Sequence, residues 1–137
     1  MIKVVAAVLV KDNKIILARR SNNLKNFPNL FEFPGGKIEN NETPKEALKR
    51  ELLEELNIHV NVHDIYPFYG NSSQHTIESS GKIIDLTLFI IKKWKGTLQP
   101  KINIHSELAY IDVEKNSIID KMIPGDAEFL PAIKIAL

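Results

Sequence analysis

The 137-residue sequence contains no cysteine. That absence removes disulfides, thiolate zinc sites and a cysteine nucleophile together, and it suits a reducing cytoplasm. A surplus of charge is missing as well, because eighteen basic against seventeen acidic side chains leave a formal net charge of +1. With no global field of either sign, neither a nucleic-acid polymer nor an anionic membrane is the expected partner, and recognition of phosphate has to be local. Long apolar runs are lacking too. The run "VVAAVLV", Val4 to Val10, is followed at once by Lys11 and Asp12 and by no small-residue cleavage site, so it reads as a buried strand and not as a signal-peptide core. No later stretch approaches the roughly 20 apolar residues that span a bilayer. No repeat, low-complexity tract or linker interrupts the chain, and with 44% hydrophobic and 26% charged positions residues 1–137 are expected to form one soluble globular domain.

The run 2–10, the turn residues "KDNK" and the run "IILARR" predict a hairpin. A polar, Asn-rich segment then leads to "LFEFPGG", where Pro34 and two glycines are expected to break any regular element. "IHVNVHDIYPFYG" alternates as a half-buried strand would, up to Pro67, and "NSSQHTIESSG" reads as a polar loop. "KIIDLTLFIIKKW" and "ELAYIDV" read as strands, and "DVEKNSIIDKM" and "DAEFLPAIKIAL" as helical. Strand-rich sequence with one strong central helix and a helical tail predicts an α/β (α+β) sandwich, not a βαβ alternation.

The central helix carries its own punctuation. Thr43, Pro44 and Glu46 supply a capping threonine, a proline at the first helical position and a glutamate that closes a capping box. Leu48, Leu52 and Leu56 form an apolar stripe with Leu53 at its margin, and Asn57 stands where helices end in a left-handed residue, so the helix is predicted over 44–56. At about 100° per residue, Glu51, Glu54 and Glu55 fall within an arc of roughly 100° beside the leucines. Glu51 and Glu55 are an i,i+4 like-charge pair, which costs a helix a few tenths of a kcal/mol. Two readings follow from the helix alone. It is a solvated, salt-bridge-laced helix with Glu46 and Arg50 as an i,i+4 pair, or its carboxylates await a divalent cation that removes their repulsion.

The preceding residues complete a longer pattern. Gly36, Glu42, Arg50, Glu51, Leu52, Glu54, Glu55 and Ile58 stand at the spacing of the Nudix signature, a glycine, five residues, a glutamate, seven residues and then Arg-Glu-aliphatic-x-Glu-Glu-x-Gly-aliphatic. The chain thus resembles the Nudix hydrolases, with Asn57 in place of the motif's last glycine, a position where asparagine tolerates the left-handed backbone. The resemblance implies a Nudix fold, a mixed β-sheet sandwiched between α-helices, and cleavage of a nucleoside diphosphate linked to another group with Mg²⁺, or Mn²⁺ as substitute. It implies Glu51, Glu54 and Glu55 as metal ligands, helped by a carbonyl of Gly35 or Gly36. Arg50 is then an orienting fork for a carboxylate, Glu42 a support for the loop, and Lys37 either a phosphate contact or a solvated lysine.

A further glutamate is expected in a late loop as Glu-His-x-Glu. Here "IHSEL" places Ile104 first, followed by His105 and Glu107. The base's role then passes to Glu107, Glu51 or a hydroxide on the cation, unless Glu107 is simply a strand-end surface residue. Beyond the motif the chain is similar to MutT-type enzymes and their cytidine-nucleotide relatives. That similarity implies a nucleoside triphosphate as a small-molecule partner, with Arg20, Phe33 and Asp126 around the base and Lys82 as a phosphate or base contact. Asp126 reads equally as a helix N-cap and Phe33 as core. An oxidised guanine nucleotide such as 8-oxo-dGTP, sanitised before DNA synthesis, is the leading substrate and CTP or a 5-modified dCTP the rival. A Nudix-fold module that binds without hydrolysis is the reading from another class. Monomer and homodimer are both compatible with the sequence.

Overall fold

The computed structural model describes residues 2–67, 74–79, 82–115 and 118–137, with the side chains of 74–79 and 82 outside that description. Strands β1 (Ile2–Lys11) and β2 (Lys14–Arg20) form the expected hairpin. Its two central residues, Asp12 and Asn13, have φ of 52° and 62°, the double left-handed turn whose twist matches that of paired strands. Short strands β3 (Phe31–Glu32) and β4 (Gly35–Lys37) precede helix α1 (Pro44–Leu56). Then come β5 (Ile65–Pro67), β6 (Gln74–Ser79), β7 (Lys82–Ile91), β8 (His105–Ile111) and two tail helices, α2 (Pro124–Ala127) and α3 (Leu130–Ala136).

The sheet is mixed. β1 runs parallel to β7, from Ile2 opposite Ile84 to Leu9 opposite Ile91, and antiparallel to β2 and β4. β2 pairs antiparallel with β3 and β8, and β7 with β5 and β6. Alternation along β1 divides the core between two faces. Val5, Ala7 and Leu9 pack with Leu48, Leu52 and Leu56 of α1, while Ala6, Val8 and Val10 pack with Phe129, Leu130 and Ile133 of the tail. Each fully buried leucine of the stripe contributes about 1.5–3 kcal/mol. The sheet therefore lies between α1 and α3, as the Nudix fold requires. No helix among the described residues is long and apolar enough to cross a membrane.

Four expectations are corrected. The double glycine is not a break but strand β4, because a Cβ-free residue lets the chain press against β1; a Cβ on Gly35 would lie 2.0 Å from the Val5 carbonyl oxygen. Residues 58–64 do not form a strand: His59 makes an isolated bridge with Lys95, and Val62–Asp64 is one 3-10 turn. The polar loop read over 71–81 contains β6, which gains its ladder from β7, while 71–73 and 80–81 lie outside the described residues. "DVEKNSIIDKM" yields only 3-10 turns at Val113–Lys115 and Ile119–Lys121, with 116–117 outside the description.

Candidate active site

Helix α1 begins and ends as its sequence dictates. The Thr43 hydroxyl accepts from the Glu46 N–H at 3.2 Å, and Glu46 Oε1 accepts from the Thr43 N–H at 2.8 Å. Asn57 closes the helix at φ 59°, ψ 34°, in the left-handed well. Glu46 is spent on the cap, so the Glu46–Arg50 pair does not form among the described ion pairs. Arg50 turns instead to the other carboxylates. Its Nη2 donates to Glu42 Oε1 at 2.7 Å and to the Lys37 carbonyl at 3.0 Å, and its Nη1 donates to Glu51 at 2.9 Å and Glu54 at 3.4 Å. Glu42 also accepts from the Glu39 N–H at 2.8 Å. The arginine thereby ties the turn before α1 to the acidic face of the helix. Its hydrogen bonds hold the Glu42 carboxyl below its ordinary range, and chiefly the Glu42 bonds push the guanidinium's own pKa upward.

The buried end of the acidic face meets β4. Glu55 Oε1 accepts from the Gly35 N–H at 3.2 Å, and burial first, then Glu32 and Glu51, pushes its carboxyl up to about 8. Burial also raises Glu51, outweighing the Arg50 contact that lowers it. A Cβ on Gly36 would lie 2.4 Å from Glu51 Cδ, so the missing side chain is the space that carboxylate occupies. This donor set fits a hard divalent cation: it is all oxygen and partly desolvated, and the described ion pairs of its three carboxyls all run to the single guanidinium of Arg50. Among the described residues no three Asp, Glu or His side chains converge into a ready-made cage. Mg²⁺ does not require one, since it keeps several waters and is commonly held by one or two carboxylates plus substrate phosphates.

From Gly35, Gly36 and Glu55 a cavity of about 580 Å³ runs to Arg20, Glu32 and Asp126. Lys37 and Phe33 also line it, although Phe33 is at the same time part of the core. Asp126 comes from the tail: Ile123 N–H bonds the Phe31 carbonyl at 2.9 Å, and the Phe33 N–H then donates to Asp126 Oδ2 at 2.8 Å. Burial, with Glu32 second, pushes Asp126 up to about 8. It does not cap α2 through its side chain: Ile123 is the N-cap residue, and no side-chain capping bond is made there. Arg20 lines the cavity but is committed, its Nη1 to both oxygens of Glu32 at 3.1 and 3.2 Å and its Nε to the Asn26 carbonyl at 3.0 Å. The Lys82 side chain lies outside the described residues.

Glu107 is not brought to the glutamates. Its side chain pairs with Arg19 at 3.3 Å and is half exposed, and it is not among the residues lining the cavity. Between Arg19 opposite Glu107 and Arg20 opposite His105 the ladder slips by one residue at Ser106. That bulge buries His105 completely and leaves Glu107 outside. Ile104 does line the cavity, as an apolar wall where a carboxylate is expected. Sequence reasoning missed Glu32, whose side chain meets Arg20 and also His105, with Oε2 2.8 Å from Nε2.

Comparison with known proteins agrees with this geometry. A CTP pyrophosphohydrolase of Escherichia coli (strain K12) is 36% identical over 132 residues, 96% of this chain and 90% of that protein. An 8-oxo-dGTP diphosphatase of Proteus vulgaris is 37% identical over 92 residues, 66% of this chain and 75% of that protein. Among solved structures, the E. coli ORF135 protein superposes with a TM-score of 0.80 at 34% identity, covering 98% of this chain and 89% of that one. A MutT protein from Methanosarcina mazei Go1 shares the fold at 22% identity and a TM-score of 0.81, over 98% of this chain and 94% of that one. With the NUDIX domain profile matching residues 1–133 as well, the chain belongs to the NUDIX domain family.

Proposed function

We propose that this protein is a divalent-cation-dependent nucleoside triphosphate pyrophosphohydrolase, converting a nucleoside triphosphate and water to the monophosphate and pyrophosphate. The observation that carries the reading is the continuity of one cavity, which begins at the motif residues Gly35, Gly36 and Glu55 and ends among the polar groups of Glu32 and Asp126. One end suits a polyphosphate with its cation, the other a base. In this reading Glu51, Glu54 and Glu55, with a β4 carbonyl, hold Mg²⁺, which neutralises charge on the phosphates. Arg50 positions Glu51 and Glu54 through the bonds it already makes. Lys37 stands at the cavity wall as a phosphate contact. With Glu107 paired to Arg19, the role of proton acceptor for the attacking water passes to Glu51.

Base preference is ordered by the extent of the likeness. The cytidine branch comes first, since the CTP pyrophosphohydrolase matches 96% of the chain and the Proteus 8-oxo-dGTP diphosphatase 66%. The oxidised guanine nucleotide is the second reading. The test is incubation with Mg²⁺ and CTP, 5-methyl-dCTP, dGTP or 8-oxo-dGTP, with monophosphate and pyrophosphate measured together. Pyrophosphate release that chelation abolishes is expected. Orthophosphate as the product, or no product from any of the four, would sink the reading.

A further inference from the structure

His105 is buried completely, behind the cavity and not among the residues that line it. Its Nε2 lies 2.8 Å from Glu32 Oε2, and its Nδ1 has no hydrogen-bond partner among the described residues. A carboxylate facing a guanidinium accepts, so Nε2 carries the hydrogen of that bond. Glu32 is the ring's one described polar contact. An apolar side chain would fill this place without a half-satisfied ring, so the histidine's presence calls for a reason other than packing.

Glu32 supplies that reason. It lines the cavity with its side chain largely covered. Oε2 accepts from both Arg20 and His105, whereas Oε1 accepts from Arg20 alone and retains acceptor capacity. The carboxylate is thus held from two sides, by a guanidinium and by a buried ring. Asp126, which also lines the cavity, has one oxygen engaged by the Phe33 N–H. At this end the Nε and Nη1 of Arg20 are engaged and Oε1 of Glu32 is left as an acceptor, which calls for a hydrogen-bond donor on the ligand at that oxygen.

We propose that His105 is a positioning residue that holds Glu32 with one oxygen open to the cavity, so that the site selects nucleobases carrying an exocyclic amino group. The proposal rests on the cavity being a nucleotide site. Cytosine offers such an amine where uracil has an oxo group, and guanine where hypoxanthine has only hydrogen. Placing an oxo oxygen against Glu32 sets lone pair against lone pair and leaves the carboxylate without its donor.

The test measures dissociation constants of CMP against UMP, and of GMP against IMP, by titration calorimetry in Mg²⁺. Wild type, Glu32→Gln, His105→Leu and His105→Gln are compared, with thermal melts and pyrophosphate release from CTP and UTP in parallel. Wild type should favour the amino member of at least one pair by roughly tenfold or more. Glu32→Gln and His105→Leu should bring that ratio to within about twofold of unity, and His105→Gln, which keeps an N–H near the place of Nε2, should restore most of it. Equal binding within both pairs, binding of none of the four, or an unchanged ratio in His105→Leu overturns the proposal, whatever happens to the melting temperature. Selective binding without pyrophosphate release would count against the hydrolase reading and leave this one standing. Release from CTP and UTP with equal efficiency, and equal binding, would do the reverse.

Discussion

One methyl group added at each of two neighbouring glycines should separate folding from function. At Gly36 a Cβ would lie 2.4, 2.5 and 2.6 Å from the three terminal atoms of Glu51. Those atoms end a flexible side chain, so the methyl displaces the carboxylate and leaves the backbone in place. The displaced group gives up its 2.9 Å bond from Arg50, a charge-assisted contact worth roughly 1.5–3 kcal/mol. Alanine's smaller unfolded-state entropy offsets about 0.4–1 kcal/mol of that. Neither glycine has a positive φ, so no conformational strain is added. Gly36→Ala should thus lose about 1–2 kcal/mol, a fall in Tm of roughly 3–10 °C for a chain of this size. Turnover should fall about 100-fold or more, because the carboxylate proposed to hold the cation would have moved by about 1 Å or more.

At Gly35 the same methyl meets main chain. It would lie 2.0 Å from Val5 O, 2.6 Å from Ala6 Cα and 2.9 Å from Val5 C. No rotamer relieves that overlap. Strand β4 must leave β1, taking with it the Gly35 N–H bond to Glu55, and the cost exceeds the usual 1–3 kcal/mol of overpacking. Circular-dichroism melts and pyrophosphate release on both variants decide the matter. A Gly36→Ala protein that melts no higher than Gly35→Ala would show that Glu51 cannot swing aside, and one with wild-type turnover would show that its position is unimportant.

Three further outcomes follow from the same contacts. Arg50→Lys replaces a fork serving Glu42, Glu51, Glu54 and the Lys37 carbonyl by a single ammonium; Tm should fall by an amount corresponding to about 2–4 kcal/mol and turnover by about 100-fold, and a protein unchanged in both would remove Arg50 from its role. Asp126 has a folded pKa of about 8 against 3.8 for the free group, so the folded state keeps a proton that the unfolded state has lost, and stability falls as pH rises between those values by up to about 1.4 kcal/mol per unit. Asp126→Asn should flatten that slope in a Tm-against-pH series, and parallel curves would refute the assignment. Asn57→Ala should cost about 1 kcal/mol for its left-handed backbone whereas Asn57→Gly should not, which chemical denaturation measures directly.

The helix was legible because every signal for it is local. The Thr43 cap, the Glu46 return bond and the left-handed Asn57 lie within a turn of the residues they serve, and the leucine stripe needs only a period of 3.6. The sheet was legible only where alternation or apolarity ran long, as in β1 and β7. β4 and β6 escaped because two glycines or a polar run become strand only through the partner beside them. The inner end of the cavity is assembled from still farther apart: Glu32 meets His105 across 73 positions and Phe33 meets Asp126 across 93. Glu107 misled for a specific reason. In a regular strand it would share a face with His105, and the slip at Ser106 cancels that alternation.

The distribution of charge makes a last prediction, that the cation is needed for binding and not only for chemistry. The described ion pairs join Glu32 to Arg20, and Glu42, Glu51 and Glu54 to Arg50, while Glu55 and Asp126 are met by backbone N–H groups. Among the residues lining the cavity the cations are Arg20, already bonded to Glu32, and Lys37, and Arg50 is committed to the acidic face of α1, so a polyphosphate brought in alone meets a partly desolvated wall whose guanidinium groups are already taken. Burial first, then repulsion from Glu32 and Glu51, raises Glu55, and a divalent cation offsets both, so it should stabilise the protein by itself, by about 2.7 kcal/mol at a hundred times its dissociation constant. CTP in the presence of a chelator should leave Tm unchanged, Mg²⁺ alone should raise it, and a non-hydrolysable CTP analogue with Mg²⁺ should raise it further. If the analogue stabilises the protein as strongly with chelator as with Mg²⁺, the glutamates of α1 are not holding the cation against the phosphates, and the acidic face of the helix requires another explanation.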